Sequence, residues 1–242
     1  MGPAPLTGSR PAFYARSGSR LGDLVTLLHV PYTIWHLSYV AIGAALATRI
    51  DASRLAGTLL AFAFGLGIGA HALDELHDRP LSTDLAPGTL RVLGWGGLGV
   101  GAAMAIAASF IISPVALVWG AGGVLLAAGY AMEWPRWVHS TAGFALAWGA
   151  FPVLVGYWAQ TESLSLAVAV VACAAAAFSM SQRALSTPAR HVRRRVTDAT
   201  AEIGEERWDR STLLATWERP LQLLAVAHAL LAIGLLLTHL PT

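Results

Sequence analysis

The chain has 242 residues, of which 55% are hydrophobic and only 12% charged, with a formal net charge of +2 and a mean hydropathy of +0.58. These values exclude an ordinary soluble domain, and the small net charge gives no reason to expect a nucleic-acid partner. All 16 basic residues are arginine, which excludes any mechanism needing a lysine Schiff base, a retinal protein included.

Residues 1–20, rich in Gly, Pro, Ser and Arg, read as a disordered basic leader, and residues 21–242 as one transmembrane helical domain. Seven runs approach the ~20 apolar residues that cross a bilayer. They cover about 23–47, 55–74, 92–112, 114–131, 140–158, 164–184 and 215–238. The expected fold is all-α, a polytopic bundle of about seven spans. The first run ends in AALA, like a signal-peptide cleavage site, but it is too long and too polar for one and reads as a retained helix. Ser113-Pro114 marks a tight turn between the third and fourth runs. Gly97 and Gly101 stand at the GxxxG spacing that lets transmembrane backbones approach closely. The single cysteine, Cys173, lies in an Ala/Val run, so neither a disulfide framework nor a CxxC metal site is expected.

With the N-terminus inside, only Arg49 and Arg54 of the 16 arginines fall outside, and the other 14 lie at or near the cytoplasmic side. Localisation in a cell membrane of bacterial or archaeal type is expected, with membrane lipids as partners. This arrangement brings the stretch HALDELHDRPLSTDLAPG, residues 71–88, to the same face as the arginine-rich segment 185–214. If the helix continues to residue 78, His71, Asp74, Glu75 and Asp78 share one helical face. Carboxylates stacked at that spacing repel unless a cation lies between them, and a hard cation such as Mg2+ takes carboxylate and phosphate oxygens. The alternative is a helix end whose charges meet water.

In the first run His29, Tyr32 and His36 share a face. They could form an interhelical hydrogen-bond set or the wall of a substrate pocket, and spacing alone leaves both open. Arg190, Arg193, Arg194 and Arg195 suit either a diphosphate clamp or an anchor on anionic lipid. After them, Asp198, Glu202 and Glu206 fall at i+4 steps, as do Glu205 and Asp209. They read as a solvated amphipathic helix, or as a supply of metal-binding oxygens.

The stretch GIGAHALDELHDRPLSTDLAPGTLRVLG (67–94) resembles the first aspartate motif, N-D-x-x-D-x-x-x-D, of the UbiA-type intramembrane prenyltransferase superfamily. GAFPVLVGYWAQTESLS (149–165) is similar to that family's fifth-helix ending and following loop. The resemblance implies a helical bundle with a cytoplasm-facing cavity, where two aspartate motifs hold Mg2+ on a prenyl diphosphate. On the matching positions, Asp74 and Asp78 take the second and third aspartates and His71 stands at the first, with Ala70 in place of the preceding Asn. The implied metal set is therefore Asp74, Asp78 and His71; apart from the resemblance, the guanidinium forks of Arg190 or Arg193 are expected on the other side of the diphosphate. The second aspartate motif is absent: the chain reads SMSQRALSTPARHVRRRV where it belongs. Nine spans are usual in the family.

The function implied is Mg2+-dependent transfer or cyclisation of an allylic prenyl diphosphate. The alternative is a non-catalytic relative that binds a lipid or quinone, or scaffolds a membrane complex. The arginine distribution makes a prediction of its own: a reporter inserted near Ala86 should be cytoplasmic, and one fused after Thr242 external. Both reporters on one side would mean that the span count is wrong by one.

Overall fold

The computed structural model describes residues 10–16, 18–203 and 205–240. Its elements are α1 (Arg20–Leu27), α2 (Val30–Ala45), α3 (Ala52–Asp78), α4 (Pro87–Ile111), α5 (Ala116–Ala131), α6 (Thr141–Thr161) and α7 (Leu166–Arg195). A short antiparallel hairpin follows, β1 (Thr200–Ile203) and β2 (Glu206–Asp209), and then α8 (Arg210–Leu237).

Among the described residues, five helices are long and apolar enough to cross a membrane: α3, α4, α6, α7 and α8. Two of the seven expected runs do not form helices of that length. The run 114–131 forms α5, a helix of only 16 residues, about 24 Å long against a hydrocarbon core of roughly 30 Å. The run 23–47 is no single helix, because α1 stops and His29 takes a left-handed conformation (φ 46°, ψ 45°) before α2 begins. Pro31 lies in the first turn of α2, where its missing N–H would have no helical partner and its fixed φ suits a new helix start. The Thr33 hydroxyl donates to the Leu28 carbonyl oxygen at 2.6 Å.

Pro188 does not break α7, which continues to Arg195. The expected helix over 197–210 is a β-hairpin. A helix would stack Asp198, Glu202 and Glu206 as like charges, whereas the hairpin register sets Glu202 opposite Arg207. In the described part of the expected leader, Ala12 and Ala15 are buried against Leu81. The hydroxyl of Thr26 also accepts from the Arg16 N–H at 2.7 Å and donates to the Arg16 carbonyl at 3.1 Å. Residues 1–9 lie outside the described residues.

α2 is the central element. Its Trp35 and Tyr39 are buried with Val153 of α6, Ala172 of α7 and Leu221 of α8. Gly43 and Gly156 make the α2–α6 crossing possible: a Cβ on Gly43 would collide with the Val153 carbonyl oxygen, and one on Gly156 with that of Val40. A second close approach joins α3 to α4, where a Cβ on Gly97 would lie 2.7 Å from the Gly69 nitrogen. Over Ala63–Ala70 and Leu146–Ala150, α3 and α6 widen into π-helical turns, a distortion often found beside functional sites.

The turn after α3 is built on Glu75. Its carboxylate is fully buried and accepts from the Leu81 N–H (2.8 Å), the Thr83 N–H (2.8 Å) and the Thr83 hydroxyl (3.0 Å). The Arg79 guanidinium donates to the carbonyl oxygens of Thr83 (3.0 Å) and Leu85 (2.8 Å), closing the same loop. Glu75→Ala would strand these buried donors, and each unpaired one costs about 1–3 kcal/mol. Its thermal unfolding in detergent should fall well below wild type, and Glu75→Gln, which keeps one acceptor, should fall less. An unchanged Glu75→Ala would show that the loop does not depend on this carboxylate.

Candidate functional site

A cavity of about 500 Å3 opens at the end of the bundle where α3 and α7 finish and α2 begins. The residues expected to bind metal or diphosphate or to wall a pocket line it: His71, Asp74 and Asp78 from α3, His29, Tyr32 and His36 at the start of α2, and Arg190 and Arg193 from α7. Glu75, on the same stretch of α3, does not; its carboxylate serves the loop. The acidic end of α3 and the Arg-rich end of α7 thus meet at one end of the bundle. At the other end Arg54 pairs with Glu162 at 3.0 Å.

The acidic pair comes from the last turns of α3, with Asp74 partly buried and Asp78 exposed. Neither forms an ion pair among the described residues. His71, expected in a metal set with them, stands on the same cavity. Its ring stacks on His29 with centroids 4.1 Å apart, and its Nδ1 donates to the Gly67 carbonyl oxygen at 3.2 Å. Among the described residues, no group of three or more His, Cys, Asp and Glu is placed to hold a metal ion. Two carboxylates do fit the sparse kind of Mg2+ site, which takes one or two carboxylates and completes its shell with water and substrate phosphate.

The α2 wall is aromatic. His36 donates from Nδ1 to the Trp148 carbonyl oxygen at 2.8 Å, which leaves Nε2 as its other functional atom. His29 meets the Tyr14 hydroxyl through Nδ1 at 2.9 Å, while its Nε2 is buried without a partner. A non-glycine residue in the left-handed region stores about 1–3 kcal/mol of strain, and such strain clusters at functional sites. Tyr14 also packs edge-on against Phe13 and Tyr32, so residues 11–14 form a strap along the cavity. Burial pushes the Tyr14 hydroxyl well above its usual range, so it stays a neutral phenol.

The arginines of α7 are not equivalent. Arg193 forks onto Glu218 of α8, with Nε on Oε1 and Nη2 on Oε2 at 2.6 Å. Arg183 donates to the Tyr130 hydroxyl at 2.8 Å and the His139 carbonyl oxygen at 3.3 Å, and lies over the Phe144 ring. Arg190 and Arg194 form no ion pair among the described residues, and the buried Nε of Arg194 has no hydrogen-bond partner.

Sequence reasoning missed Tyr14, Arg183 and Glu218 as parts of this site. Phe13-Tyr14, an aromatic pair within a polar leader, was one available signal. Glu218 was another, because a carboxylate among apolar residues of a span calls for a partner.

A second, apolar groove of about 330 Å3 lies between α3, α4, α5 and α6, lined by residues such as Gly57, Gly101, Trp119 and Phe151. Leu66 and Trp148 line both the groove and the polar cavity, so one wall joins them.

Compared with protein-family models, curated proteins and solved structures, the chain matches none of them. The strap yields a direct test. Tyr14→Phe removes the hydroxyl on His29 Nδ1, so amide hydrogen exchange at residues 12–16 should quicken while exchange in α6 stays unchanged. Equal protection in the two proteins would show that ring packing alone holds the strap.

Proposed function

We propose that the chain is a membrane-embedded enzyme of isoprenoid chemistry, of the UbiA-like intramembrane prenyltransferase type, acting on an allylic prenyl diphosphate. One observation carries the reading. A polar cavity with a carboxylate pair on one wall and arginines on another shares Leu66 and Trp148 with an apolar groove. Such a site suits an amphiphile with an anionic head and a hydrocarbon tail, since ligand pockets combine a mostly apolar lining with a few placed polar groups.

In this reading Asp74 and Asp78 would hold Mg2+, which when bound neutralises charge on the departing diphosphate. Arginines at the end of α7 without a carboxylate partner among the described residues, Arg190 and Arg194, draw the diphosphate against the opposite wall. As the allylic carbon–oxygen bond breaks, its electron pair leaves with the diphosphate and positive charge develops on the allylic fragment. Tyr32, Phe144 and Trp148 line the cavity, and their ring faces favour that charge and keep water from it. Capture by an acceptor completes a prenyl transfer, and capture within the same chain a cyclisation, each once the cationic adduct gives up a proton to the released diphosphate or to water. The arginine-rich end, and with it the cavity, faces the cytoplasm in this proposal.

A second reading, a non-catalytic protein that binds an isoprenoid lipid or quinone, draws on the lack of a three-residue metal group among the described residues. Binding measurements separate the two. Wild type should bind an allylic diphosphate more tightly with Mg2+ than with chelator, and should release or transfer the prenyl group. Asp74→Asn and Asp78→Asn should each fold and lose the Mg2+-dependent part. If both variants respond to Mg2+ like wild type, the carboxylate pair has no part in metal binding. If wild type binds the lipid but leaves it intact with every acceptor tried, the non-catalytic reading takes over.

A further inference from the structure

Resting on the diphosphate reading above, we propose that Arg194, together with Arg190, is the anion-holding side of the cavity, and that Arg193 is a positioning residue. Arg190 and Arg194 stand one turn apart on α7 and both line the cavity. Like charges at i, i+4 repel along a helix, and an anion between them turns that repulsion into attraction. Two features single out Arg194. Its Nε is buried yet has no hydrogen-bond partner, an unusual state for so polar a donor. It also lies on the same cavity as Asp74 and Asp78, neither of which pairs with it.

The fork of Arg193 on Glu218 does a different job. Its charge is matched by a carboxylate on α8, so the pair locks the end of α7 to α8. That lock fixes the helix turn from which Arg190 and Arg194 project. The chemistry recognised is a phosphate or diphosphate monoester, whose oxygens match the planar guanidinium fork. The headgroup of an anionic lipid offers similar oxygens, so the test must tell the two sources apart.

Inorganic diphosphate and an allylic diphosphate, each with and without Mg2+, would be titrated into the full chain in nanodiscs of zwitterionic lipid, and again with anionic lipid. Arg194→Gln should weaken both ligands about tenfold or more, the loss of a charge-assisted hydrogen bond. Arg194→Lys, which keeps the charge without the fork, should fall between Arg194→Gln and wild type and guards against a folding failure of the first variant. Arg193→Gln combined with Glu218→Gln removes the matched pair as a unit, loosening the turn that carries Arg190 and Arg194 without removing an anion donor, and should weaken binding by less than Arg194→Gln does.

The inference is overturned, with the proposed function left standing, if wild type binds diphosphate and both Arg194 variants bind equally well. It is also overturned if the Arg193/Glu218 double variant loses as much affinity as Arg194→Gln. An Arg194 effect seen only as altered anionic-lipid retention, with diphosphate affinity unchanged, would make Arg194 a headgroup anchor and overturn it as well. Failure of wild type to bind any diphosphate, with or without Mg2+, would remove the diphosphate reading itself and this assignment with it.

Discussion

The buried carboxylate of Glu75 is the constraint on which the site end of the bundle depends. A fully buried charge is costly unless it is hydrogen-bonded, and here three donors from Leu81 and Thr83 supply those bonds. The bonds fold residues 79–86 back against the end of α3. Leu81 then packs against Ala12 and Ala15, and Leu85 against Leu27 and Ala72, which seats both the strap and α1. The neighbouring acids on the same helix are left to the cavity. One carboxylate of the stretch is structural, so two others are available for chemistry.

A similar division runs through the basic residues. Arg79 closes a loop, Arg183 is held by Tyr130 and the His139 carbonyl, and Arg193 is matched by Glu218. A run of arginines that looks uniform in sequence is thus sorted by the partners each side chain meets. Neighbours one residue apart on a helix point about 100° apart. Arg193 and Arg194 accordingly reach different surroundings although they are adjacent in the chain.

The helix packing explains why the cavity exists where it does. α2, α6 and α8 close tightly through Gly43, Gly156 and the Trp35–Tyr39 cluster, leaving little room between them. At one end α2 gives way to the left-handed His29, and the π-helical turns of α3 and α6 displace Leu66 and Trp148 from regular helical positions. The polar cavity lies against these irregular segments, and the apolar groove continues from the same two side chains.

Composition and hydropathy by themselves determined the class, an all-helical chain with helices suited to a membrane, because apolar length is a local property of the sequence. The 3.6-residue period likewise placed His71, Asp74 and Asp78 on one face, and His29, Tyr32 and His36 together, before any tertiary contact was known. What the period could not tell was that Glu75 faces a loop, that His71 stacks on His29, or that residues 198–209 prefer a cross-strand pair to a helix of stacked acids. Nor could it tell Arg193 from Arg194. Those outcomes depend on partners far away in the chain: Glu218 lies 25 residues from Arg193, and Trp148 lies 112 from His36. A side chain's charge and shape are written locally, but which buried donor or acceptor it meets is settled only when the helices pack.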